Sequence, residues 1–132
     1  MDTSLLRQLD VRRRRLHMTK SAVARLAGVS LPTVNRILQG KEQNPGIVNL
    51  MAIAATLGVT AQLSETLTIQ ETKSDHEFRK DRALAKAKRI VRLVQGTMAL
   101  EAQGVDANTI NQMVDQTMCE LMAGPANRLW ED

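Results

Sequence analysis

Residues 24–40 read ARLAGVSLPTVNRILQG, and the order of small, turn-forming and capping residues within them decides the fold. Gly28 stops one helix at the point where a left-handed backbone is cheap only for glycine. Ser30 can cap the next helix, and Pro32 sits in its first turn, where a missing N–H is no loss. Gly40 ends that helix. The spacing therefore predicts helices over 20–27 and 31–39, the first capped by Thr19.

Two such helices make a helix-turn-helix when several conditions hold together. They cross at a steep angle, so their closest contact needs a small residue, which Ala24 supplies. The tight turn needs a glycine, and Gly28 follows four positions later. Apolar residues must fill the inside of the corner, here Val23, Ala27, Val29, Val34 and Ile37. A polar cap must launch the second helix, here Ser30. Each feature is common alone; at these offsets the set is specific.

Outward from this corner, a helix over residues 4–17 comes first. Leu5, Leu6, Leu9, Leu16 and the stem of Arg12 form a rough stripe beside an arginine-rich face. After the polar turn KEQNPG, a helix over 47–57 shows Val48, Met51, Ala52, Ala55 and Leu57 near helical spacing and stops at Gly58. The next stretch, VTAQLSETLTIQET, alternates at Val59, Ala61 and Leu63 and again at Leu67 and Ile69. That favours one or two short strands, with a short helix as the competing reading. Two strands alone are marginal, so a strand here is expected to need a partner from a second subunit.

Ser74 and Glu77 have capping-box spacing ahead of a long helix over 75–102, with Phe78, Ala83, Ala87, Ile90, Val91, Val94 and Met98 on its apolar face. Gly104 breaks it and Asp106 can cap the last helix, whose stripe is Ile110, Met113, Val114, Thr117, Leu121 and Met122. Gly124-Pro125 ends that one. The expected fold is mostly all-α: a helix-turn-helix domain over 1–58, a connector over 59–74 with strand character, and a C-terminal helical hairpin over 75–132.

Composition agrees with helix packing. Apolar residues make up 43% of the 132, but aromatics are reduced to Phe78 and Trp130, so the core must come from aliphatic side chains and seven Met. The single Cys119 excludes an internal disulfide and points to a reducing compartment. No run has the length of a membrane span and no charged start followed by an apolar block marks a signal peptide, so the expected location is cytoplasmic. The net charge of +4 is unevenly spread. Residues 1–62 hold nine bases and three acids, residues 79–92 hold seven bases and one acid, and residues 101–132 hold six acids and one base. Two basic blocks suggest a polyanion partner for at least one of them.

Residues 20–39 resemble the helix-turn-helix of the Cro and phage-repressor (XRE-like) family. The resemblance extends over about 4–58, because that family places one helix before the motif and one after. NLMAIAATLGV, residues 49–59, is similar to the family's fourth helix and its Leu-Gly-Val end. The string VARLAGVSLPTVNRILQG also resembles lactose-repressor-type headpieces, which begin with the motif itself; the preceding arginine-rich helix favours the Cro type. The resemblance implies a repressor of transcription that binds double-stranded DNA as a homodimer, is no enzyme and needs no cofactor. It places Ser30, Leu31, Pro32 and Thr33 at the start of the recognition helix, where side chains reach base edges, with Asn35 and Arg36 one turn on. Arg36 would suit guanine, Asn35 adenine or phosphate, and Leu31 and Pro32 a thymine methyl. Lys20, Ser21, Gln39, Lys41 and Asn44 would meet phosphates. Where the family often has Gln, this chain has Lys20, which can bind phosphate but not bridge through an amide.

Other chemistry is poorly represented. His17, His76 and Cys119 are scattered without metal-ligand spacing, and a lone cysteine on an amphipathic helix is expected to be buried packing. There is no glycine-rich phosphate loop and no nucleophile arrangement. The layout of a Cro-like headpiece with a short extra region resembles antitoxins, which bind their operator as dimers and grip a toxin with another part. Trp130 is then either a partner anchor or a side chain folded back onto the hairpin. The alternative is a protein-interaction module whose basic helix binds an acidic protein without reading DNA.

Overall fold

The computed structural model describes residues 3–41, 45–63, 65–100 and 107–131. In order they form α1 (Thr3–Arg15), α2 (Lys20–Ala27), α3 (Leu31–Leu38), α4 (Ile47–Thr56), β1 (Val59–Leu63), β2 (Leu67–Glu71), α5 (Asp75–Leu100), α6 (Ala107–Ala123) and a 3-10 turn (Ala126–Trp130). The fold is mostly helical, as expected. The chain divides into two compact units, one reaching to Asp75 and the other running from His76 to Trp130. The expected break at Gly104 and cap at Asp106 lie outside the described residues.

In the first unit α2 packs against α3 and α4, α1 against α3, and α4 against β1. Leu6, Leu9, Leu16, Val23, Val34, Ile37, Leu50, Ile53 and Leu57 are fully buried at their centre. The α4 stripe differs from the one expected. Leu50, Ile53, Ala54 and Leu57 point inward, whereas Val48 (77% exposed), Met51 and Ala55 face outward with Ile47. Nearly every residue of IVNLMAIAAT is apolar, so periodicity cannot choose a face there; packing on α2 and β1 does.

The 59–72 stretch forms an antiparallel pair within one chain, with Ala61 opposite Ile69 and Leu63 opposite Leu67. No strand from a second subunit is needed to complete it. Val59, Ala61 and Leu67 are buried, and β1 lies against α4, which gives the hairpin the apolar backing that two strands lack alone.

The run Arg12–Arg15 at the end of α1 shows what a 100° step does to four identical residues. Arg12 continues the buried Leu9–Leu16 stripe and is 1% exposed. Its guanidinium donates to the Leu57 carbonyl (3.0 Å), the Lys73 carbonyl (3.1 Å) and the Asp75 carboxylate, with Glu71 3.7 Å away. Arg13 pairs with Asp10 (2.8 Å) and donates to the Met18 carbonyl. Arg14 is outward, and Arg15 pairs with Glu71 and Asp75. One side chain thus ties α1 to the end of α4 and to the segment after β2. The helix ends at His17, a left-handed residue (φ 58°) whose following N–H bonds back to the Arg13 carbonyl.

In the second unit α5 and α6 pack through Ala87, Val91 and Val114, with Leu84, Ile110, Met113, Met118 and Leu121 partly buried around them. Phe78, near the start of α5, stacks on Trp130, beyond the end of α6, so the two helices run antiparallel. Arg82 donates to the Leu129 carbonyl (3.1 Å) and Lys86 to the Arg128 carbonyl (2.9 Å), satisfying the end of the 3-10 turn. Cys119 is exposed rather than packed, because the α6 stripe of Ile110, Val114, Thr117 and Leu121 leaves position 119 outside.

Arg12→Leu would strand two carbonyls and a carboxylate that now share one donor. Urea denaturation should show a loss of about 2–4 kcal/mol. Arg12→Lys should recover less than half of that loss, since an ammonium cannot reproduce the planar fork. A leucine variant within about 0.5 kcal/mol of the parent, the range of an ordinary surface change, would show that the guanidinium is dispensable.

Candidate nucleic-acid interface

Each turn of the helix pair is built by a local bond. The Thr19 hydroxyl accepts from the Ala22 N–H (3.0 Å) and starts α2. Gly28 ends it with φ +71°, and the Val29 N–H reaches back to the Ala24 carbonyl (3.1 Å). A Cβ at Gly28 would meet nothing within 4 Å. The glycine is therefore required by its backbone angle and not by crowding. The Ser30 hydroxyl accepts from the Thr33 N–H (3.4 Å) and starts α3, with Pro32 in the first turn.

This geometry makes α3 two-sided. Val34, Ile37 and Leu38 are buried, while Ser30, Leu31, Pro32 and Arg36 are exposed and Thr33 and Asn35 are half-buried. The six residues expected to read bases thus share the outer side of one helix. A hydroxyl chain links three of them: Ser30 Oγ donates to Thr33 Oγ1 (2.7 Å), which also accepts from Arg36 (3.4 Å). Leu31, 44% exposed at the helix start, presents an apolar side chain beside them.

The expected phosphate residues fall into two adjoining grooves. Lys20 and Ser21 line one with Leu31, Pro32 and Asn35, together with Arg13 and Thr19. Lys20, Gln39 and Lys41 line a second with residues of α1. Asn44 lies outside the described residues. Arg13 was not among the expected contacts; the run RRRR gives no sign of which member turns toward the motif.

Lys20 and Asn35 are coupled. The Asn35 side-chain oxygen accepts from Lys20 Nζ (2.8 Å) and from Gln39 Nε2 (3.0 Å). Bidentate recognition of adenine uses both the oxygen and the NH2 of an amide. With its oxygen held, Asn35 presents a donor, which suits a phosphate or a purine N7. Lys20 has a further role beyond that expected of it, tying the start of α2 to the middle of α3.

Trp130 is 2% exposed and stacks on Phe78 with ring centroids 5.5 Å apart. Of its two expected placements it occupies the folded-back one, inside the second unit. Among the described residues no group of His, Cys, Asp and Glu side chains could hold a metal ion, and no helix is long and apolar enough to cross a membrane.

Residues 10–63, from within α1 to the end of β1, match the family described as Helix-turn-helix. No curated protein and no solved structure matches the chain.

Because the space around Gly28 is open, Gly28→Ala should cost about 1–2 kcal/mol through backbone conformation alone, and Gly28→Asn should cost less. Thermal melts of the two variants check this ordering. An alanine variant as stable as the parent would mean that the corner can be made without a left-handed residue.

Proposed function

We propose that the protein, whose residues 10–63 match a helix-turn-helix family, is a sequence-specific repressor of the Cro and phage-repressor type that binds double-stranded DNA as a dimer. The family match supports a DNA-binding regulator. The observation that carries the finer reading is the outer side of α3, where exposed Leu31 stands beside the hydrogen-bonded Ser30, Thr33 and Arg36, flanked by grooves with lysines. An α-helix with such a surface fits the major groove, where side chains distinguish all four base pairs.

Dimerisation is assigned to the second unit. Two helices and a turn give it a small core, with Leu93 (69% exposed) and Val94 (44%) uncovered. Its outward charges are self-complementary: Lys88, Arg89 and Arg92 on α5, Asp115 and Glu120 on α6. A two-fold axis sets unlike charges of two copies against each other. The layout of a DNA-binding unit followed by a separate helical unit also supports an antitoxin that represses its own operon and holds a toxin through the second unit.

Isotherms on the duplex upstream of the protein's own gene and on a scrambled duplex, at several salt concentrations, separate base reading from phosphate gripping. Arg36→Ala should lose about 1–3 kcal/mol on the specific duplex and little on the scrambled one. Lys20→Ala should weaken both and flatten the log–log salt slope by about 1.8 per bound dimer, one contact from each subunit at about 0.9 each. Equal losses on both duplexes for Arg36→Ala would make it a phosphate contact only; no preference for either duplex by the parent would favour an acidic protein partner instead.

Light scattering should give a dimer for the full chain and a monomer for residues 1–75. Co-expression with the product of the neighbouring gene should retain that product on the full chain and lose it on 1–75. A dimeric 1–75 would move the interface to the first unit, where Ile47, Val48 and Met51 stand exposed on α4.

A further inference from the structure

We infer that the DNA-gripping surface extends from the helix-turn-helix onto the outer side of α1, where Arg7 and Arg14 hold phosphates beyond those met by α2 and α3. The inference rests on the DNA-binding reading above. Lys20, Gln39 and Lys41, from the start of α2 and the end of α3, share one open groove with Arg7, Asp10 and Arg14 of α1. Four cations stand there against one acid. Asp10 is itself held by Arg13 (2.8 Å) and Arg14 (3.1 Å), so it fixes the arginines while offsetting one charge. Arg14 is 72% exposed, and Arg7, also exposed, has no ion-pair partner among the described residues.

Two features point to a nucleic-acid backbone. The groove is open, with α1 on one side and the start of α2 and end of α3 on the other, which suits a strand of repeated charges better than an enclosed small anion. It also continues from the base-reading side of α3, since Lys20 lines both this groove and the one containing Leu31, Pro32 and Asn35. Phosphates recur along a duplex at close, regular intervals, so a strand seated at Lys20 can carry its charges on toward α1. Contacts of this kind set register and orientation without reading sequence.

Because the track ignores sequence, a random-sequence 30-base-pair duplex is a sufficient probe. Fluorescence anisotropy across a salt series should show the full-length Arg7→Ala/Arg14→Ala variant with a log–log slope shallower by about 3.6 per bound dimer, two contacts from each subunit at about 0.9 each. Arg7→Lys/Arg14→Lys should keep the parent slope, since the charge stays. Lys80→Ala/Arg128→Ala, which removes the same charge from exposed positions of the second unit, should also keep it. Thermal melts establish that each variant is folded. An unchanged slope in the α1 alanine variant, with parent binding intact, overturns the track and leaves the repressor reading standing. Equal flattening in the Lys80→Ala/Arg128→Ala variant overturns it in favour of bulk charge. Loss of binding to poly-glutamate, with the DNA slope retained, would reassign the groove to an acidic protein. A parent chain that binds no duplex overturns the track and the repressor reading together.

Discussion

A single left-handed residue sets the angle at which α3 leaves α2. With Gly28 at φ +71°, the chain turns within Gly28–Ser30 and the next helix begins at Leu31. That turn buries Val34 and Ile37 against the unit's core and, by the same rotation, brings Leu31 and Arg36 to the outside. Crowding does not select the glycine; nothing lies within 4 Å of a Cβ built there. The constraint is therefore one of backbone conformation, and the interface is its geometric consequence.

The corner would be of little use on a loose support. Arg12 supplies the support by a means costly in isolation, a guanidinium at 1% exposure. The cost is offset because its donors meet two carbonyls and a carboxylate, from the end of α4 and the segment after β2. The β-hairpin and the residues that follow it are thereby held to α1, and α1 in turn packs on α3. The rigidity of the α2–α3 corner is distributed over elements that lie outside it.

The legible parts of the fold were those in which one residue type does one job. Thr19, Gly28, Ser30 and Pro32 each mark a chain position by their own chemistry, and α2 and α3 lie where those marks put them. The uniform segments were illegible. In α4 nearly all positions are apolar, so the buried face depended on where α2 and β1 lie. In the run Arg12–Arg15 the four roles depended on acceptors as distant in sequence as Lys73 and Asp75. His17 takes a left-handed angle with no glycine to announce it. In the site, residue types could place side chains along α3 but could not reveal that Lys20 and Gln39 occupy the oxygen of Asn35. Such couplings need coordinates.

The central claim is that the outer side of α3 reads bases in a dimer. Selection of tight binders from a pool of random duplexes by the full chain, followed by sequencing, tests it with no operator chosen in advance. The account predicts enrichment of a two-fold symmetric motif whose half-sites lie one helical turn apart, about 10–10.5 base pairs centre to centre or a multiple of it. A pool that binds and elutes with salt but gains no motif after repeated rounds would contradict base reading. A motif without symmetry would contradict the dimer.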